Sequence, residues 1–326
     1  MKALLCERFA DVDQLTVKDI PSPAVGPGDV RIRVHAASLN FPDALMVQGL
    51  YQFKPPLPFV PGSETAGVVL QVGADVTAFK PGDRVIGYNS LGAFAEEAVF
   101  DAACVLHLPE DVGFDVGASL VVAYCTTLRA LKDCAAMQPG ETLLVLGAAG
   151  GVGLAAVEIG KAMGARVIAA ASTADKLDIC REHGADETIN YATENLRERI
   201  DQITNKRGVD VVYDPVGGPY TEPAFRATGW GGRLVVVGFA AGDIPKIPAN
   251  LCLLRERKLV GVFWGDSLKY DPQAQERNMQ QLLEWMTQGK IQPHVDERVA
   301  LADVPVLMKR MLARGVKGKA VVLPGA

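Results

Sequence analysis

The chain has 326 residues, 49% of them hydrophobic and 22% charged, more than a single core usually holds, so two domains are expected. Its 33 basic and 38 acidic residues give a net charge of −5 with no basic tract, which argues against nucleic acid as a main partner. Charge breaks the N-terminal Met1 to Arg8 before a signal-like apolar run forms, and no later stretch is long enough for a membrane span, so a cytoplasmic protein without a membrane partner is expected.

In chain order, Val30 to His35 alternates apolar and polar residues, which predicts a half-buried strand with Val30, Ile32 and Val34 inward. Thr65 to Val72, Asp83 to Ile86 and Ala93 to Phe100 read as further strands between turn signals such as Gly26-Pro-Gly-Asp29 and Pro81-Gly-Asp83. The proline-rich segment Lys54 to Gly62 is expected to be a loop. The six cysteines are scattered without a C-x-x-C pair, so neither a disulfide framework nor a zinc knuckle is predicted, and Cys104 with His107 is too small a set for a metal.

From about Val121 strand and helix alternate, the pattern of a doubly wound parallel sheet. Leu143 to Leu146 reads as a buried strand, and the glycine cluster Ala148-Ala-Gly-Gly-Val-Gly153 leads from it into a helix over 150–163. Such a turn collects backbone N–H groups and the positive end of a helix dipole, which suits a pyrophosphate. Gly150 lets phosphates approach the backbone, and Gly153 lets the helix lie close on the strand. Strands follow at 166–171, 187–190, 209–213, 231–238 and 258–263, with helices near 174–183 and 193–204. Beyond Gly265 the alternation ends in helices at 272–288 and from about Asp303, then a strand at 318–323. That tail is short for a domain, so it is expected to return to the first. The expected division is 1–120, a Rossmann unit at 121–262, and the return at 263–326.

Dinucleotide domains carry an acidic residue about 20 positions past the glycines, at the end of the second strand, which excludes a 2′-phosphate. Here Ser172 stands at that place and Lys176 follows one helical turn later, which favours NADPH over NADH. Ser172-Thr-Ala-Asp175 also fits a capping box in which Asp175 serves the helix start. Tyr191 either closes the same pocket with its hydroxyl or simply packs.

The series Ala148 to Gly153, Ser172, Lys176-Leu177, Gly184-Ala-Asp186, Asn190-Tyr191, Asp214-Pro-Val-Gly-Gly218, Gly238-Phe239, Ile247-Pro-Ala-Asn250 and Gly261-Val-Phe-Trp-Gly265 resembles the quinone oxidoreductase branch of the medium-chain dehydrogenase/reductase superfamily. Ser38-Leu-Asn-Phe-Pro-Asp43 and Pro61-Gly-Ser-Glu-Thr-Ala-Gly67 extend the resemblance over essentially the whole chain. It implies a GroES-like, β-rich catalytic domain holding a Rossmann domain, with NADPH in the cleft. Asn40, Thr126, Phe239, Phe263 and Lys319 would line the nicotinamide end and the diphosphate, and Val216 would face the cofactor. Ala149, Gly150, Gly151, Val152, Trp264 and Gly265 complete the implied cofactor contacts, and Ser172, Lys176 and Tyr191 match the 2′-phosphate pocket.

Alcohol dehydrogenases of the superfamily place a zinc-ligand cysteine where this chain has Asn40, and a ligand histidine where it has Ser63, beside a glutamate matched by Glu64. Neither replacement is a thiolate or an imidazole, so no metal is expected. The resemblance then implies hydride transfer to an acceptor that conjugation has already made electrophilic: a quinone or another α,β-unsaturated carbonyl. Tyr51 and Asn40 are the candidate catalytic residues; Tyr51 is the candidate acid or orienting donor, by similarity to enoyl-thioester reductases, with loop-shaping packing as the alternative and solvent as another proton source. Asp43 is read as fixing the helix turn after Asn40. An enoyl-thioester reductase acting on a substrate such as acryloyl-CoA is the rival enzyme. A crystallin-like or RNA-binding protein that retains the nucleotide pocket is the rival of another class. A homodimer paired through the strand near 258–263 is expected.

Overall fold

Two units divide the chain: Met1–Val122 with Pro293–Ala326, and Ala123–Gln292. The computed structural model describes residues 1–89 and 91–325. The second unit begins close to the expected 121 but extends to Gln292, so the return falls at Pro293 and not at 263. Two helices, Trp264–Tyr270 and Pro272–Thr287, account for the difference. Trp264 Nε1 donates to Gln275 at 2.8 Å, and Asn278 bonds to Lys132 and Asp133 at 3.0 and 2.7 Å, which fastens the longer helix to the start of the second unit.

The first unit opens with an antiparallel ribbon of β1 (Lys2–Leu5) and β2 (Thr16–Asp19). Its main strands follow as β3 (Asp29–Leu39), β4 (Glu64–Val72), β5 (Arg84–Tyr88), β6 (Glu97–Asp101) and β7 (Val105–His107). Val30, Ile32 and Val34 point into the core while Arg33 and His35 are exposed, the alternation read from the sequence. Beyond His35 every residue to Asn40 is buried, so β3 runs on past the expected end with both faces covered.

In the second unit β8 (Thr142–Leu146), β9 (Arg166–Ala171), β10 (Glu187–Asn190), β11 (Val209–Asp214), β12 (Thr228–Val236) and β13 (Lys258–Gly261) pair in parallel in the order β10-β9-β8-β11-β12-β13. The order reverses between β8 and β11, which makes their C-terminal ends the topological switch point where such sheets bind ligands. The helix Gly151–Ala162 returns from β8 to β9. Its residues Gly153 to Gly160 are all buried, as its alanines and glycines permit, while Val152 and Met163 are half-buried. Glu158, buried in this helix, accepts from Tyr124 Oη at 2.6 Å and pairs with His183 at 2.7 Å.

The returning segment adds β14 (Val295–Ala300) and β15 (Lys319–Leu323). It completes the sheet of the first unit in the order β14-β15-β3-β4-β5-β7, with β6 on β3. Both β15 and β4 run antiparallel to β3. The end of β3 therefore lies beside the starts of β4 and β15.

Candidate functional site

In a parallel sheet every strand ends on the same edge, and the candidate nucleotide residues of the second unit other than Thr126 lie just beyond those ends, whereas Asn40 and Lys319 belong to the first unit. The turn after β8 starts at Gly147, whose φ of +59° is left-handed and whose Cβ would lie 2.7 Å from Val216 Cγ2. The tight-turn glycine thus sits one position before the motif frame that begins at Ala148. Gly147 O accepts from Gly150 N at 3.0 Å, and a Cβ on Gly153 would lie 2.2 Å from the same carbonyl. Gly153 is required by packing. At Gly150 a Cβ would meet nothing closer than 3.5 Å, so its bareness leaves open space at the helix start. Ala149 is buried, and Gly150, Gly151 and Val152 are half-buried around this turn.

Past β9 comes half-buried Ser172, then the helix Ala174–Glu182 with Thr173 as its N-cap. The N-cap position expected at Ser172 thus falls on Thr173, whose Oγ1 donates to the Asp175 carboxylate at 2.5 Å and makes no bond to a helix N–H, and Ser172 stands outside the helix. Lys176 is half-buried in the first turn. Since Asn190 is in register with Ala171, the next residue, Tyr191, emerges beside Ser172, and its N–H donates to Ala171 O at 3.1 Å. Its ring lies 4.4 Å from that of Tyr220. Ser172, Lys176 and Tyr191 are gathered at one corner of the edge.

Past β11, the buried Asp214 carboxylate accepts from Val216 N, Gly217 N and Thr221 Oγ1 at 2.9, 2.8 and 2.5 Å. Burial pushes its pKa up and these donors oppose that rise. The loop so shaped is joined to the one past β12, where Ala241 N donates to Val216 O at 2.8 Å and half-buried Phe239 packs on Gly217. Thr126 is half-buried, and its neighbour Thr127 bonds to Tyr213 Oη at 2.8 Å and to Val152 O at 3.3 Å, beside the glycine turn. Phe263, Trp264 and Gly265 follow β13; Phe263 and Gly265 are exposed, and Trp264 is held by Gln275.

The first unit carries a second cluster. Asn40 at the end of β3 caps the helix Phe41–Val47, Glu64 opens β4 and Lys319 opens β15, so the strand order brings the three together. Lys319 Nζ donates to Asn40 Oδ1 at 2.6 Å and to Glu64 Oε1 at 3.0 Å. Asn40 Nδ2 donates to Glu64 Oε1 at 2.9 Å, and Val122 N donates to Glu64 Oε2 at 2.8 Å. All three side chains are buried, with Glu64 at 0% exposure. Asp43 reaches back to Asn40 N at 2.8 Å, the helix-fixing role read from the sequence, and also accepts from half-buried Ser63 Oγ at 2.5 Å. Burial pushes the Asp43 pKa up to about 7, against the pull of Ser63, the Asn40 amide and Lys319. Tyr51, half-buried, packs against the apolar core of this unit.

Sequence reasoning missed the role of Gly147, although a glycine directly after a buried apolar run is its signal. It also missed that Asp214 organises the loop holding Val216, and that Lys319 pairs with Glu64 across 255 positions. No local pattern carries that last contact. Among the described residues no group of three or more His, Cys, Asp and Glu side chains could hold a metal ion.

Comparison with known proteins matches residues 26–110 to the "Alcohol dehydrogenase GroES-like domain" family and 151–288 to the "Zinc-binding dehydrogenase" family. Quinone oxidoreductase-like protein 2 of Rattus norvegicus is 38% identical over 306 residues, covering 94% of this chain and 87% of that protein. A mycobacterial protein solved in complex with NADPH superposes with a TM-score of 0.92 at 30% identity, over 99% of this chain and 100% of the other. The Escherichia coli quinone oxidoreductase solved in complex with NADPH superposes at 0.91 with 26% identity, over 99% and 100%. With the GroES-like sheet in one unit and the 3-2-1-4-5-6 parallel order in the other, the chain belongs to the quinone oxidoreductase-like family of the medium-chain dehydrogenase/reductase superfamily.

Proposed function

We propose that this protein is an NADPH-dependent, zinc-independent oxidoreductase that reduces quinones or other α,β-unsaturated carbonyls. The observation that carries the cofactor choice is the corner past β9 and β10, where Ser172, Lys176 and Tyr191 are gathered and no carboxylate ends β9. The open space at Gly150 and the N–H groups at the helix start suit the diphosphate. Bound NADPH supplies the hydride. The chain's own part is to bind and orient it through the turn, the Val216 loop and Phe239, and to keep water from the reacting atoms.

The zinc-independent reading is supported by the donors. Asn40 and Ser63 present an amide and a hydroxyl, and an ammonium already sits on Asn40 and Glu64, so the cluster does not fit zinc. Tyr51 is the proposed acid or substrate-orienting hydroxyl. Among the described residues no helix is long and apolar enough to cross a membrane. A cytoplasmic setting would keep the six free cysteines reduced. The small-molecule acceptor is met by a homodimer, since β13 is the bare edge of its sheet and Leu259, Leu253, Leu254 and Trp230 are exposed beside it. Gly231 N donates to Arg255 O at 2.8 Å, which brings Trp230 against that patch.

Replacing Ser172 and Lys176 together by alanine is expected to weaken NADPH about 10- to 100-fold while leaving NADH nearly unchanged, measured by fluorescence titration. Equal losses for both would refute the phosphate assignment. Tyr51→Phe is expected to lower turnover with enones by about 100-fold with NADPH affinity intact; unchanged turnover would remove Tyr51 from the mechanism and leave it a loop-packing role. Light scattering is expected to give twice the 34.7 kDa chain mass, falling to the monomer in Trp230→Ser/Leu259→Lys. A wild-type monomer at micromolar concentration would contradict the dimer.

A further inference from the structure

A carboxylate shut away from water requires a nearby cation or several strong donors. Glu64 has both, and the cation is Lys319, whose side chain is 4% exposed against 0% for Glu64. Because alcohol dehydrogenases of the superfamily carry metal ligands at the positions of Asn40 and Ser63, a divalent metal is the obvious alternative cation to test against this pocket. Three features of the cluster oppose it. Asn40 Oδ1 and Glu64 Oε1, the oxygens that could turn to a metal, both converge on Lys319 Nζ, at 2.6 and 3.0 Å. Ser63 Oγ is committed to Asp43. A metal entering here would meet an ammonium at bonding distance from its own donors, and like charges so close in a desolvated site repel strongly.

The geometry also explains the Asn40 amide. Its oxygen faces the ammonium and its nitrogen faces the carboxylate, so the charge pair sets which way the amide points. Lys319 is therefore more than a counter-charge, because it orients a side chain at the end of β3. We infer that Lys319 is a built-in cation that takes the electrostatic place of a metal in this pocket, neutralising Glu64, fixing Asn40 and keeping a divalent ion out. The inference rests on the zinc-independent reading above and goes beyond it by naming the residue that excludes the metal.

The test installs the missing donors with and without the lysine. Wild type, Asn40→Cys/Ser63→His and Asn40→Cys/Ser63→His/Lys319→Met are dialysed against Zn²⁺, desalted, and measured for bound metal by plasma mass spectrometry. Near-zero zinc is expected in the wild type and in the double variant, with about one zinc per chain in the triple variant, where Glu64 can join the installed thiolate and imidazole. Stoichiometric zinc in the double variant, or none in a folded triple variant, would overturn the role given to Lys319. Zinc in the wild type would instead refute the metal-free reading. A second measurement needs no metal: Lys319→Met should lower the melting midpoint by roughly 5 °C or more, and adding Glu64→Gln should restore at least half of the loss. Additive losses would likewise overturn the inference.

Discussion

The helix Gly151–Ala162 can start against β8 only because Gly153 has no Cβ. With one, the side chain would lie 2.2 Å from Gly147 O, and the helix would have to lift away from the strand. That single approach sets the turn between them, directs the first N–H groups of the helix at one place, and leaves the space at Gly150. The left-handed Gly147 then packs against Val216 across the switch point, so the loop after β11 takes its position from the same turn. Ser172 and Tyr191 take their places separately, from the ends of β9 and β10 on the same edge of the sheet.

The first unit solves a different problem. Three strand ends meet where β3 lies between β4 and β15, and each brings a polar side chain into a space without water. A lone buried carboxylate there would be costly, and removing one partner of a buried pair typically costs about 3–5 kcal/mol. The set is viable because it is complete: Glu64 accepts from Lys319, Asn40 and Val122, and Asn40 uses both ends of its amide. Beside it, Asp43 is fully buried with a proton affinity raised toward neutrality, and its link to the half-buried Ser63 is the part of the cluster nearest to solvent.

Periodicity in the sequence carried the architecture far. Alternation over Val30 to His35, the apolar run Leu143 to Leu146 and the glycine cluster after it each emerged as the expected element, and the parallel unit follows from their succession. Two kinds of information were out of reach. The domain boundary depended on side chains such as Asn278, whose bonds to Lys132 and Asp133 hold the helix Pro272–Thr287 to the second unit; periodicity says where a helix is, not what it packs against. The Lys319–Glu64 pair depended on strand order, since β15 joins the sheet beside β3 from the far end of the chain. The departure of Asn40 and Ser63 from metal-ligand chemistry was legible in their residue types; what fills the gap was not.

In the proposed function this protein moves hydride from NADPH to a conjugated acceptor without a metal. The most direct measurement follows NADPH absorbance with quinones and enones before and after exhaustive treatment with a strong zinc chelator. NADPH oxidation with at least one of these acceptors is expected at a rate the chelator does not change. Loss of that rate on chelation, restored by added zinc, would contradict it.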